Sequence, residues 1–367
     1  MLVVAWLGLA VGVLVVLLTG SSAIKTLLIP RNISSGMLTS FVARAVWVVF
    51  RRVTAHVDDL ERRERIHAAG APTFLFCLLV TWVVMLFAGY ALVLWPLTAG
   101  SLPTAIKVSG SSLFTLGFDA PRGAAPLVIV FAEAASGLGV IALLIAYLPV
   151  LYAAFNRREI LVTMLAALAG NPAWGPEVLA RHQLIGNAAA LGRLYERWAE
   201  WAADISESHT AYRTLIYFRS PDPQRSWLLS LLSVLDAAAL QLALCPSAAP
   251  PEARQVLRVG YLAVREIAGT LGLPVNADPR PSDPIALTRE EFDHAVGHLR
   301  DAGWVPERDT GQAWPHFRGW RVNYEAAAFS LARFLDLPPA LWSGERDREV
   351  AARAPLRPPD RVPGVTG

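Results

Sequence analysis

Three long apolar runs limit what this chain can fold into. They cover residues 2–18 ("LVVAWLGLAVGVLVVLL"), 73–97 ("TFLFCLLVTWVVMLFAGYALVLWPL") and 124–155 ("AAPLVIVFAEAASGLGVIALLIAYLPVLYAAF"). About 20 apolar residues carry a helix across the roughly 30 Å hydrocarbon core of a bilayer. Each run is at or near that length, and the third is long enough to continue into water. Only 17% of the 367 residues are charged, against roughly 25% in ordinary soluble domains. The apolar excess lies almost wholly in the first 155 positions. A lipid bilayer is therefore the expected partner of this half, and the rest reads as a soluble helical domain. A net charge of +3 gives no case for nucleic acid.

The first run has no basic segment before it and exceeds the roughly 7–15 apolar residues of a signal peptide. The following "TGSSA" is compatible with cleavage. The expectation is a retained transmembrane helix over 1–20.

Basic residues set orientation, with the arginine-rich loops inside. Residues 19–72 carry Lys25, Arg31, Arg44, Arg51, Arg52, Arg62, Arg63 and Arg65, and Arg157 and Arg158 follow the third run. Only Lys107 and Arg122 lie between the second and third runs. The N-terminus is expected outside and the C-terminal domain in the cytoplasm.

The segment 21–72 is expected to be cytoplasmic or interfacial. Within it, 37–53 is apolar but interrupted by Arg44 and closed by Arg51 and Arg52. Phe41, Ala45, Val48 and Val49 share one helical face, the pattern of a helix lying along inner headgroups. The stretch 58–65 reads as a solvated helix with i,i+4 ion pairs.

Twenty-six residues, 98–123, separate the second run from the third. They are too many for a tight turn, and they include "SGSSLFTLGFDAPRG" at 109–123. A helix over 103–114 with Pro103 in its first turn, followed by an extended return, describes a re-entrant loop. Irregular backbone at membrane depth is tolerated only inside protein or along a wet cavity.

The "TLGFD" of residues 115–119 resembles the selectivity filter of potassium channels, whose pattern is Thr-X-Gly-Tyr/Phe-Gly-Asp. The resemblance extends over 73–159 and is similar to bacterial single-pore channels with a helical cytoplasmic domain. It implies an all-α fold. The pore domain would be 73–158, with outer helix 73–97, pore helix 103–114, filter 115–119 and inner helix 124–155. A cytoplasmic α-helical domain would occupy 159–342 and a disordered tail 343–367. The location implied is the bacterial inner membrane, with potassium ions as the permeant ligand and no cofactor.

In such a filter, rings of backbone carbonyls replace the ion's water. Thr115, Leu116, Gly117 and Phe118 would supply oxygens, with the Phe118 ring turned away from the ion and against the pore helix. One loop per chain implies a homotetramer. The second filter glycine is missing. Either Asp119 stands in its place, or one residue is deleted and Asp119 is the outer acid drawn inward; both put strict potassium selectivity in question.

By the same resemblance, Glu133 would support the filter through Ser111 or Ser112, and Gly137 or Gly139 would bend the inner helix during gating. Two plainer readings stand beside these: a protonated Glu133 satisfied by a neighbouring helix, and small residues that let helices approach. Pro149 is a candidate kink.

From 160 onward the periodicity is helical. Leu194, Trp198, Trp201 and Ile205 share one face of a helix, opposite Glu196, Glu200, Asp204 and Glu207. The run 226–244 is apolar almost all round and is expected to be buried in a bundle. Thr288 and Glu291 form a capping-box pattern. His294 and His298 have i,i+4 metal-ligand spacing but no evident third and fourth ligand. Glu207, His209, Tyr212 and Arg219 gather in one stretch, as a small regulatory ligand site or as a core hydrogen-bond network. Cys77 and Cys245 read as small apolar residues. No catalytic motif is found, so no enzyme is expected. The function expected is a cation channel gated by its cytoplasmic domain. The alternative is a non-conducting membrane-anchored sensor or scaffold that keeps the pore-loop fold.

Overall fold

The computed structural model describes residues 2–29, 37–98 and 101–343. The tail expected over 343–367 lies outside them, Ser343 excepted. The molecule is 75% helix, with no strand among the described residues. It divides into two compact units. One contains residues 1–58 and 69–153, and the other 59–68 and 154–367.

The first unit holds α1 (Leu2–Leu27), α2 (Met37–Thr54), α4 (Gly70–Leu94), α5 (Leu102–Leu113) and most of α6 (Ala124–Ala169). At 1.5 Å per residue, α1, α4 and α6, of 26, 25 and 46 residues, extend about 39, 37 and 69 Å. All three are long and apolar enough to cross a membrane.

α1 continues through "TGSSA" rather than ending at 20. Thr19, Ser22 and Ala23 are buried, and Ser22 Oγ accepts a hydrogen bond from Trp82 Nε1 at 3.2 Å. α1 and α4 meet at Gly12 and Gly89. A Cβ on Gly12 would sit 2.5 Å from the Gly89 carbonyl oxygen, so only glycine permits this approach. α2 buries Thr39, Val42 and Val46, and Thr39 bonds Ser22 at 3.1 Å and Thr26 at 2.9 Å. Its Phe41, Val48 and Val49 face outward together with Arg44, Arg51 and Arg52.

α3 (Leu60–Ala68) belongs to the second unit. Pro72 lacks the N–H that would bond the Ala68 carbonyl, so the helix breaks at Ala69 before α4 begins. The expected i,i+4 pair forms between Arg65 and Glu61 at 2.5 Å. α3 is nevertheless not simply solvated. Its Glu64 and His67 are buried, and Arg63 and His67 both bond the Asp336 carboxylate, His67 at 2.8 Å.

The remaining helices are α7 (Gly175–Leu184), α8 (Leu191–Ala211), α9 (Trp227–Leu244), α10 (Glu252–Thr270), α11 (Arg289–Asp301), α12 (Thr310–Arg321) and α13 (Glu325–Leu335). α9 is apolar enough to be a membrane span, yet every residue of it is buried at the centre of this unit. α7, α10 and α12 pack on it, and α8 packs on α10. α8 turns Trp198, Trp201 and Ile205 inward and leaves Glu196, Glu200 and Glu207 exposed. The capping box at Thr288 and Glu291 is formed in both directions.

Candidate functional site

α5 is seated between α4 and the start of α6 by two serines, and a third holds the chain that leaves it. Ser109 donates to the Phe87 carbonyl at 3.1 Å and to Glu133 Oε1. Ser112 donates to the Val130 carbonyl at 2.7 Å. Ser111 holds the chain that leaves α5: its carbonyl accepts from Leu116 N at 2.8 Å and Gly117 N at 3.3 Å, and its hydroxyl accepts from Asp119 N at 3.0 Å. The hydroxyl that meets Glu133 is therefore Ser109, not Ser111 or Ser112. Ser109 lies about one turn back from the end of α5, level with the point where α6 presents Glu133. Glu133 is fully buried, and its Oε2 has no hydrogen-bond partner.

The backbone of 115–118 is irregular. φ is +53° at Thr115 and +70° at Gly117, and negative at Leu116 and Phe118. A chain whose φ alternates in sign flips successive peptide planes, so its carbonyls can face a common side. Gly117 accepts this conformation without cost, and a Cβ there would touch nothing. Thr115 is different. A β-branched residue at positive φ is a genuine outlier, costing roughly 1–2 kcal/mol. Such strain persists only where surroundings enforce it, and it clusters at functional positions. The Ser111 carbonyl and hydroxyl are the enforcing contacts here.

Leu116 and Phe118 are 64% and 66% exposed. Within one chain the Phe118 ring is thus not braced against α5, contrary to expectation. Asp119 is half-buried.

On α6, a Cβ at Gly137 would lie 2.8 Å from Leu113 Cδ1 and 3.0 Å from the Leu113 carbonyl oxygen, whereas one at Gly139 would meet nothing. Gly137 is the point of close approach between α5 and α6. The neighbouring Ser136 bonds the Tyr90 hydroxyl at 2.9 Å. Pro149 lies inside α6, which runs on without interruption.

In the second unit, His298 Nε2 bonds Glu177 Oε2 at 2.8 Å, and both His294 and His298 lie against the Trp174 ring. Among the described residues no three His, Cys, Asp or Glu side chains gather as metal ligands. His209 and Arg219 do not share a site. His209 meets Arg158 Nη1 at 3.2 Å, while Arg219 donates to the Leu335 and Asp336 carbonyls. Glu207 is exposed.

The cluster that the sequence hid is Arg158, Arg219, Glu64, Asp336, Arg63 and His67. Buried Arg158 donates to the Leu215 and Phe218 carbonyls at 3.0 and 2.8 Å, so α6, α3 and the end of α13 are tied through residues 215–219. Burial alone would raise the Asp336 carboxyl, but the hydrogen bonds and charges of His67 and Arg63 outweigh it and hold the group well below its usual range. Its partners on α3 are about 270 residues away, and no local spacing announces them.

Comparison with protein families, with curated proteins and with solved structures finds no match for this chain.

Proposed function

We propose that the chain is one subunit of a homotetrameric, potassium-channel-like cation channel in a bacterial inner membrane. Thr115 to Asp119 form its filter, the N-terminus is outside, and the C-terminal unit is the cytoplasmic gate. The observation that carries this reading is the strained, alternating backbone at Thr115 and Gly117, presented on an exposed loop between two helices of spanning length. Irregular backbone in a bilayer needs protein or water around it. Four copies around a shared axis supply both, with carbonyls turned toward the ion path.

A route for gating follows from the chain path. α4 is entered directly from α3, and α6 continues beyond Ala153, so both helices that flank the loop join segments held in the C-terminal unit. Arg219 and Asp336 hold the first of these segments, and Arg158 the second. A ligand that shifts residues 215–219 would act on both.

The test is cation flux in liposomes, with the potassium-to-sodium reversal potential measured in bilayers. Native protein is expected to conduct. Gly117→Ala is expected to cut flux at least tenfold, because alanine resists φ near +70°. Flux from the variant equal to native would refute the filter assignment. An absence of flux under every ligand and pH would favour the scaffold reading.

A further inference from the structure

α9 starts beneath a concentration of buried donors. Its N-cap is Ser226, yet the Ser226 hydroxyl makes no capping bond, although a serine there ordinarily accepts from the second or third helical N–H. Four side-chain atoms near this helix end are buried without a hydrogen-bond partner: Arg219 Nη1, Ser220 Oγ, Arg225 Nε and Ser226 Oγ. All four residues line one small cleft, walled by Phe218, Trp227 and Leu337. Ser220 and Ser226 are 7% and 5% exposed, and the Arg219 side chain 8%.

A buried polar group left unpaired costs about 1–3 kcal/mol, so the two buried hydroxyls of Ser220 and Ser226, set beside two guanidinium groups, call for a common partner. Two guanidinium groups, two hydroxyls and the positive end of an 18-residue helix all favour a ligand that is negative and rich in acceptors. The guanidinium groups are positioned in advance. Arg219 is anchored on the Asp336 carbonyl at 3.0 Å, and Arg225 Nη1 reaches Thr163 Oγ1 at 3.4 Å. Two carboxylates stand nearby: Glu64 at 3.6 Å from Arg219 Nη1 and Asp222 at 3.2 Å from Arg225 Nε. They offset part of the arginine charge and leave both hydroxyls and the helix end unanswered. The donors come from the chain at 219–220, the chain at 225–226 and the helix axis, a spread that suits a tetrahedral oxyanion better than a two-oxygen carboxylate.

We propose that this cleft is an oxyanion site that takes the phosphate group of a small ligand. The assignment goes beyond the channel reading and holds whether or not the protein conducts. Because the cleft includes Phe218 and Arg219, the bound group would touch the same short segment that holds α3 and α6.

The test is a titration of the full-length protein in neutral detergent with inorganic phosphate. Sodium chloride and sodium acetate at matched ionic strength serve as controls, and thermal stability and tryptophan emission are the readouts, since Trp227 borders the cleft. Phosphate is expected to raise the melting temperature saturably. Ser226→Ala and Arg225→Gln are each expected to weaken the midpoint at least tenfold while leaving the helical circular dichroism unchanged. A repeat in nanodiscs with and without an anionic phospholipid identifies the source. An Arg225-dependent response to the lipid alone supports the site with a headgroup as its occupant. The absence of a saturable phosphate response, an equal response to chloride, or unchanged midpoints in both variants would overturn the proposal.

Discussion

Several helix contacts in the apolar unit run through small residues and short hydroxyls: Gly12 on Gly89, Gly137 on Leu113, Ser22 with Thr39, Ser109 with Glu133. In the C-terminal unit the same role falls to full charges. Arg321, 2% exposed, bonds Asp236 at 2.6 Å, Glu325 and the Trp342 carbonyl, while Tyr324 bonds the same Asp236 oxygen. On the proposed reading, with the first unit in lipid and the second in water, the contrast follows from the solvent each unit would unfold into. Lipid supplies no hydrophobic drive between helices, so close backbone approach and small hydroxyls do the work. Water supplies that drive, and α9 takes it up with every residue buried. A charged network that meets α9 at its middle, through Asp236, then fixes which helices surround it, and breaking it by halves is expensive.

The largest effect that would sharpen this contrast is Arg321→Ala. It leaves Asp236 and Glu325 buried with no cation, and loss of one partner from a buried ion pair costs about 3–5 kcal/mol. Denaturant unfolding in micelles is expected to show the C-terminal unit melting early while α1, α4 and α6 keep their helicity. A loss below about 1 kcal/mol would mean that the network is not what holds α12 and α13 to α9.

The corresponding test of the apolar unit is Gly12→Val. The new Cβ would stand 2.5 Å from the Gly89 carbonyl oxygen, and overpacking of this kind costs about 1–3 kcal/mol. α1 is expected to separate from α4, read as faster proteolysis of α1 and weaker Trp82 protection, with the C-terminal unit unaffected. A stable variant would show that the glycine contact is incidental.

The two units also differ in how far they could be read from sequence. Apolar runs of 17 to 32 residues name α1, α4 and α6 with no tertiary information, and Pro103 marks the start of α5. The end of α1 is not legible in the sequence, because "TGSSA" is polar and its hydroxyls find Trp82, Thr39 and the Val15 carbonyl instead of water. α9 was legible as buried from its all-round apolarity. The candidate site was legible as a motif but not in its support. Ser109, Ser111 and Ser112 are equivalent in sequence, and only the rotation of α5 decides that Ser109 meets Glu133. α3 misled for a related reason. Glu61 and Arg65 show a surface pair, while Arg63, Glu64 and His67 on the other side find partners at Arg219 and Asp336, separations no periodicity encodes.

Acid should divide the units next. His209 is buried, and its Nε2 faces Arg158 Nη1 at 3.2 Å. A guanidinium only donates, so that nitrogen accepts and the ring is neutral. Burial, and then the Arg158 charge, push its pKa well below the usual 6.5, and burial lowers His182 as well. The sign follows from linkage. The unfolded chain takes up these protons as pH falls through about 6.5 and the native unit does not, so stability is full above that pH and declines below it, by up to about 1.4 kcal/mol per pH unit for each histidine. Thermal melts between pH 7.5 and 5.5 are expected to fall for the C-terminal unit, and His209→Gln to flatten the slope. A melt independent of pH would mean that folding leaves these histidines as easily protonated as they are in the unfolded chain.

The smallest effect isolates a purely local device. Thr288 accepts from Glu291 N at 3.2 Å, and Glu291 Oε2 accepts from Thr288 N at 2.7 Å, so two of the N–H groups at the start of α11 are answered by side chains. Thr288→Ala removes one of the two and is expected to cost about 1 kcal/mol, read as a small drop in the melting temperature of the C-terminal unit. The apolar unit has no comparable side-chain cap on α4 or α5; α5 begins with Pro103, which has no N–H to satisfy. Thr104→Ala at the start of α5 is therefore the matched control. Thr104 bonds only the Ser101 hydroxyl at 3.0 Å, and its loss should leave the melting of both units where it was. A larger loss from Thr104→Ala than from Thr288→Ala would reverse the assignment of end-capping to the C-terminal unit alone.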